Sequence, residues 1–349
     1  MASGDNESIP DASLLPACGS EAAVVPAGRR RNVWIGTCSW TDPSLIQCKR
    51  FYPRGCSSAE ARLRYYASQF PVVEVDSSFF AMPSAVNSAL WVERSPAAFV
   101  FNVKAFRLLT GHQTPPQAFP RDLAAALPPL QGRKKNYYHA DVPAELRDEL
   151  WRRFIEALAP LRQAGKLKAV HFQFAPWVTH SPEWRAHVEQ CVQRMAGHLV
   201  AVEFRNHTWF GAGRAQDTLA WERELGVAHV VVDEPQGVGN FAQAVWAVTN
   251  PALAIVRLHG RNAQTWAAKG LAASSERFNH DYLDAELQEL ADRMDALAEQ
   301  ALAVQALVNV NFEDQGIKAA RRLTLLMQRY SSLGAHQDPA AGPIDASAG

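Results

Sequence analysis

The chain has no surplus of charge: 35 Lys and Arg stand against 35 Asp and Glu in 349 residues. That balance removes the overall basic field behind non-specific nucleic-acid binding, so only a local patch would serve that purpose. Cysteine is sparse. The five are Cys18, Cys38, Cys48, Cys56 and Cys191, an odd number without a Cys-x-x-Cys pair. This argues against a zinc ribbon or a thioredoxin-type motif, and makes a reducing cytoplasm the expected location. No run of 18 apolar residues exists, so no membrane partner is expected. The N-terminus lacks a basic start followed by an apolar block, so no secretory signal is expected either. No Gly-x-Gly-x-x-Gly follows a strand-like run, which weakens a dinucleotide-binding fold, and no His-Glu-x-x-His gives a short metal-ligand spacing. None of these patterns names a cofactor.

What is present is a well-filled core composition, 48% hydrophobic and 20% charged. Residues 1–31 are rich in Ala, Ser, Gly and Pro and close on Arg29-Arg30-Arg31; residues 333–349 are equally simple. Both read as disordered tails around one domain, 32–332. Inside it, strand-like and helix-like runs alternate. The strands expected are Val33–Cys38, Val72–Asp76, Phe99–Lys104, Ala169–Phe174, a run from Leu199, His229–Asp233, Ala254–His259 and Leu307–Phe312. Helices or long connections separate them. The Pro-rich stretch of about 110–140 reads as a lid, insertion or binding loop. Asp141 reads as the cap of the helix after it. Strand-helix alternation implies parallel pairing, and eight units in this length predict an α/β TIM-barrel-like eight-stranded parallel barrel, with a doubly wound open sheet as the alternative.

Alternation within the strands is the sharper signal. Glu74 and Asp76 share a face, as do Asn102 and Lys104, His171 and Gln173, Glu203 and Arg205, His229 and Asp233, Arg257 and His259, and Asn309, Asn311 and Glu313. Apolar residues occupy the opposite faces. In a barrel the polar set points inward and crowds the C-terminal ends of the strands, where barrel enzymes keep their sites. An ion network that merely satisfies itself is the competing account.

At this point several motifs fit one pattern: WIGTCSW at 34–40, FYP at 51–53, YYASQFPVVEVDSSFFAMPS at 65–84, FVFNVKAFRLLTGH at 99–112, HFQFAPW at 171–177, VEFRNHTWF at 202–210, VRLHGR at 256–261 and NFEDQGIKAARRL at 311–323. In this order the chain resembles the domain of unknown function 72 family, also described as YecE-like. The resemblance implies a TIM-barrel-like fold with an unassigned reaction, distantly similar to metal-dependent barrels of the xylose isomerase and endonuclease IV type. The positions it marks are Glu74, Lys104, Gln173, Glu203, Arg205, Trp209, Asp233, Arg257 and His259. The chain departs from the commoner pattern at Ser39, Asp76 and Glu313-Asp314, and the last two departures add acid.

Three functions compete. In the first, an enzyme acts on a small anionic substrate: Lys104, Arg205 and Arg257 hold phosphate or carboxylate with help from Gln173, Trp209 and Asp233, Glu74 or Glu203 serves as base, and His259 as acid or base. In the second, carboxylates and histidine from different strands (Glu74, Asp76, Glu203, Asp233, His259, Glu313, Asp314) bind a metal for hydrolase or isomerase chemistry. The three cations argue against a resident metal. In the third, a binding module stacks nucleic-acid bases on Trp40, Phe79, Phe80, Trp177, Trp209 and Trp266. The charge balance does not favour it. Cys38, at the end of the first expected strand, is a weak candidate nucleophile.

Overall fold

A computed structural model describes residues 33–236, 243–268 and 274–334. The two tails expected from the sequence fall outside this set, except that residues 333 and 334 complete the last helix. Eight parallel strands close into a barrel in sequence order, with the eighth pairing back to the first. They are β1 (Val33–Thr37), β2 (Val72–Val75), β3 (Val100–Lys104), β4 (Leu167–Gln173), β5 (Val200–Glu203), β6 (Ala228–Asp233), β7 (Ala254–Leu258) and β8 (Val304–Val308).

Alternation sorts the strand residues into two cores. Val73, Val75, Phe101, Val103, Val170, Phe172, Val202 and Val256 point outward and pack beneath the helices. Ala169, Ala201, Ala228, Val230, Ile255 and Leu307 point inward and fill the lower barrel with small or branched side chains. Within this layer Asn102 reaches across the barrel and donates to Gln305 at 2.7 Å. Toward the C-terminal ends the inward positions turn polar, and Glu74, His171, Glu203 and Arg257 are all fully buried.

Two strands depart from expectation. β6 is reversed. Its inward face is Ala228, Val230 and Val232, while His229 and Asp233 lie on the other parity, with Val231 against the outer core. The reason is that both of its faces carry valine, so the polar residues alone misassign it. His229 Nδ1 lies 3.0 Å from Glu222 of the helix Ala215–Glu224, and Nε2 lies 3.0 Å from the Val245 carbonyl. Burial opposes a charge on His229, but Glu222 outweighs it and raises the imidazole above its ordinary range. β8 begins at Val304 and ends at Val308, earlier than the run Leu307–Phe312. The chain must turn into its last helix, Gln315–Gly334, and does so with Glu313 in the left-handed region at φ 51°. Asn309 and Asn311 therefore sit on a loop.

The 110–140 stretch holds short turns, a helix Arg121–Ala126 and one bridge, Thr114 to Tyr137. Asp141 does not cap the following helix, which starts at Ala144 behind Pro143; its carboxylate accepts from the Tyr138 N–H and pairs with Lys134. Among the described residues no helix is long and apolar enough to cross a membrane.

β1 and β2 meet through a single close pairing, Thr37 with Val73. At Gly36 a Cβ would fall 2.0 Å from the Val72 carbonyl oxygen. Neither backbone can move without opening the barrel. Gly36→Ala is expected to cost about 2–3 kcal/mol, measured by denaturant unfolding; a variant of unchanged stability contradicts this account of the β1–β2 approach.

Candidate functional site

The C-terminal ends of the strands surround a cavity of about 450 Å³. Lys104, Gln173, Arg205 and His259 line it together with Asp76 and Asn309. Phe80 and Phe278 add aromatic wall, and Cys38 lies on its floor side. Strand register sets wall beside network: Lys104 pairs with His171, and Gln173 with Glu203, so each of these wall residues neighbours a member of the buried layer.

Beneath the cavity lies a closed ion network. Arg257 donates through Nη2 to Glu74 and through Nη1 to Glu203, at 2.7 Å each. His171 sits between the same two carboxylates, with Nδ1 2.8 Å from Glu74 and Nε2 3.2 Å from Glu203. The other oxygen of Glu203 accepts from Gln173 at 2.8 Å and from Arg205 at 2.9 Å. Arg205 continues to Glu234 at 2.5 Å and lies over the Trp266 ring. Lys104 pairs with Asp76 at 2.6 Å and sits 4.6 Å from the centre of the Phe79 ring.

This geometry changes several roles. Burial works to raise the Glu74 and Glu203 carboxyls, but Arg257, with His171, outweighs it and holds both well below the carboxylate range. Carboxylates held that low are poor proton acceptors at neutral pH, and neither lines the cavity. Arg257 is likewise absent from the wall, with both terminal nitrogens committed to acids. His259 is pushed the other way: burial, then Arg205 and Arg257, lower it well below its usual range. Its Nε2 lies 3.4 Å from Arg205 Nη1 and 3.2 Å from Arg257 Nη1. A guanidinium only donates, so Nε2 accepts and Nδ1 carries the proton. Asn309 Nδ2 lies 3.1 Å from Nδ1, so this tautomer requires the amide turned over, with its oxygen accepting from Nδ1. His259 is thus a neutral, oriented hydrogen-bonding group.

Two marked residues lie elsewhere. Trp209 is fully buried, stacked on Phe204 at 3.8 Å, and its indole N–H donates to the Val178 carbonyl. Asp233 turns to Arg261 at 2.8 Å and to the Tyr282 hydroxyl at 2.7 Å. Cys38 is buried, and burial, then Glu74, raises its thiol well above the ordinary value, which disfavours the thiolate a nucleophile needs. For base stacking, Trp40, Phe79, Trp209 and Trp266 are buried, while Phe80 and Trp177 are exposed. The acids considered as metal ligands are paired: Glu313 and Asp314 share Arg50. Among the described residues no three His, Cys, Asp or Glu come together as a metal-binding group.

The sequence reading missed Glu234. It follows β6 by one residue, is buried, and has one oxygen on Arg205 and the other, Oε1, without a hydrogen-bond partner. Burial pushes its carboxyl up; Arg205 opposes, while Glu203 and Asp233 add to the rise, and the result is about 7. The acidic pair Asp233-Glu234 at a strand end was the available signal, but alternation drew attention to Asp233.

The family model described as "Protein of unknown function DUF72" matches residues 34–342. The chain is 31% identical over 308 residues to the UPF0759 protein YunF of Bacillus subtilis (strain 168), covering 87% of this chain and 98% of that one. A crystal structure of a DUF72 family protein from Enterococcus faecalis V583 matches with a TM-score of 0.68 at 25% identity, over 84% of this chain and 95% of the other. A DUF72 family protein from Thermotoga maritima MSB8 matches with a TM-score of 0.64 at 22% identity, over 84% and 99%, a likeness of fold.

The state of His259 is open to measurement. Long-range ¹⁵N spectra are expected to show a neutral ring with the proton on Nδ1 throughout the range from about pH 5 to about pH 8. An imidazolium forming near the usual histidine range contradicts the reading.

Proposed function

The chain belongs to the DUF72 family, and from that premise we propose that it is an enzyme acting on a small polar substrate with an anionic group, bound at the C-terminal mouth of the barrel. The observation that carries this reading is the placement of Lys104 and Arg205 on one cavity wall with Gln173, His259 and Asp76. Lys104 and Arg205 receive the phosphate or carboxylate; Gln173 and neutral His259 orient its neighbours by hydrogen bonds. Phe80 and Phe278 cover apolar parts of the ligand. Asp76, beside Lys104 and on the wall, is the carboxylate placed to move a proton.

Glu74, Glu203 and Arg257 support this site from below. They keep Arg205 and His259 in place, so that charge arriving with the substrate meets donors already oriented. Asp233 and Trp209 act one layer further out, holding the loops after β6 and β5.

Thermal melting tests the reading. Wild-type protein is expected to gain about 2 °C or more with at least one of inorganic phosphate, a sugar phosphate or gluconate. Lys104→Met, which removes the cation from the wall, is expected to melt cooperatively and lose that gain. If no anion moves the wild-type melt, or if Lys104→Met responds as wild type does, the reading fails.

A further inference from the structure

Arg205, on the cavity wall, divides its two terminal nitrogens between acids of opposite character. Nη1 meets Glu203, which burial alone would raise but Arg257, His171 and Arg205 keep ionised. Nη2 meets Glu234 at 2.5 Å. Glu234 is 1% exposed, and its second oxygen, Oε1, is buried without a hydrogen-bond partner. An ionised carboxylate normally gathers donors on both oxygens, and a dry, unpaired oxygen is expensive when it carries charge. A protonated carboxyl costs less in the same position than an ionised one.

The charges facing Glu234 point the same way. From the end of β5 come Arg205 and Glu203, from β7 comes Arg257, and from its own strand comes Asp233, itself paired with Arg261. Arg257 and His171 are committed to Glu74 and Glu203, while Arg205 divides between Glu203 and Glu234. An anionic ligand docked on Arg205 would compete with an ionised Glu234 for the same guanidinium in a low-dielectric space, unless one carboxylate takes a proton. Glu74 and Glu203 are held too low to take that proton, and Glu234 titrates near neutrality.

We propose that Glu234 is a proton-linked positioning residue: when an anionic group docks on Arg205, Glu234 takes one proton from solvent, and anion binding at the mouth is therefore stronger in acid than in base. This rests on the anionic-substrate reading above and names how that site is regulated. No bond to the ligand forms. The proton passes from water to the Glu234 carboxylate, and Arg205 turns part of its charge from Glu234 to the ligand. The linkage has a definite sign. The protonated protein is the binding form, so affinity is level below the titration of free Glu234 and falls as pH rises through it, by up to about tenfold per pH unit.

Calorimetric titration tests this with gluconate and with inorganic sulfate, two anions whose own charge is constant over the range used. Gluconate is expected to bind wild-type protein about tenfold or more weakly at about pH 8.5 than at about pH 6. In buffers of different ionisation enthalpy, near one proton should be taken up per anion at the higher pH. Glu234→Gln, which mimics the protonated group, is expected to bind equally at both pH values with no proton uptake. Should that variant not fold, the wild-type proton count and pH profile decide alone. Anion binding without proton uptake, or a pH dependence retained in Glu234→Gln, overturns this inference and leaves the functional reading standing. Failure of both anions, and of phosphate and sugar phosphate, to bind at either pH overturns both.

Discussion

Arg257 holds the upper barrel together. It is a fully buried guanidinium in the middle of the sheet, bonded at once to Glu74 from β2 and Glu203 from β5, on opposite parts of the ring of strands. Two carboxylates at this depth cannot be ionised without a cation, and a cation at this depth cannot persist without them. The remaining site residues follow from that knot. Glu203 positions Gln173 and Arg205; Arg257 and Arg205 together fix the proton of His259; His259 fixes the amide of Asn309. The network is a pedestal, and the cavity above it is lined by groups the pedestal has already oriented. Because Glu74 and Glu203 are depressed in the folded state, their contribution to stability is present above the ordinary carboxylate range and is lost as pH falls through their folded values.

The barrel was legible because five strands alternate toward their C-terminal ends. There Glu74, Asn102, Lys104, His171, Gln173, Glu203 and Arg257 fall on the inward parity, and Val73, Val75, Phe101, Val103, Val170, Phe172, Val202 and Val256 fall on the parity beneath the helices, as a sheet with one face under helices and one face inward requires. β6 was not legible, since its inward residues are Ala and Val and its polar residues find partners on the outside, His229 with Glu222 and Asp233 with Arg261. β8 kept its parity and lost its boundaries. A sequence run of Asn and Val looks like strand whether the ladder continues or the backbone turns, and here the chain turns after Val308.

Alternation showed which polar side chains face inward, and not what each of them touches. Six polar residues were placed at one mouth by alternation: Glu74, Lys104, Glu203, Arg205, Arg257 and His259. Lys104, Arg205 and His259 line the cavity, while Glu74, Glu203 and Arg257 lie in the layer beneath it. Alternation gives the face of a residue and not its depth, so groups two positions apart on a strand look equivalent. It also cannot reveal which charge pairs with which. Arg257 binds acids 183 and 54 residues away, and these contacts turn an apparent anion clamp into a structural cation and two apparent bases into its counter-ions. Glu234 escaped because it lies one residue past the last strand position, where alternation stops carrying information.

The most direct test of the pedestal is a comparison of stranded and removed charge. Unfolding free energies would be measured for wild type, for Arg257→Met, and for Arg257→Met combined with Glu74→Gln and Glu203→Gln. Leaving two buried carboxylates without their cation is expected to cost about 3–5 kcal/mol. Neutralising those carboxylates in the triple variant is expected to return a substantial part of that loss, although it removes two more native groups. A triple variant less stable than Arg257→Met alone would contradict the account, since it would mean that the acids stabilise the barrel by contacts independent of Arg257.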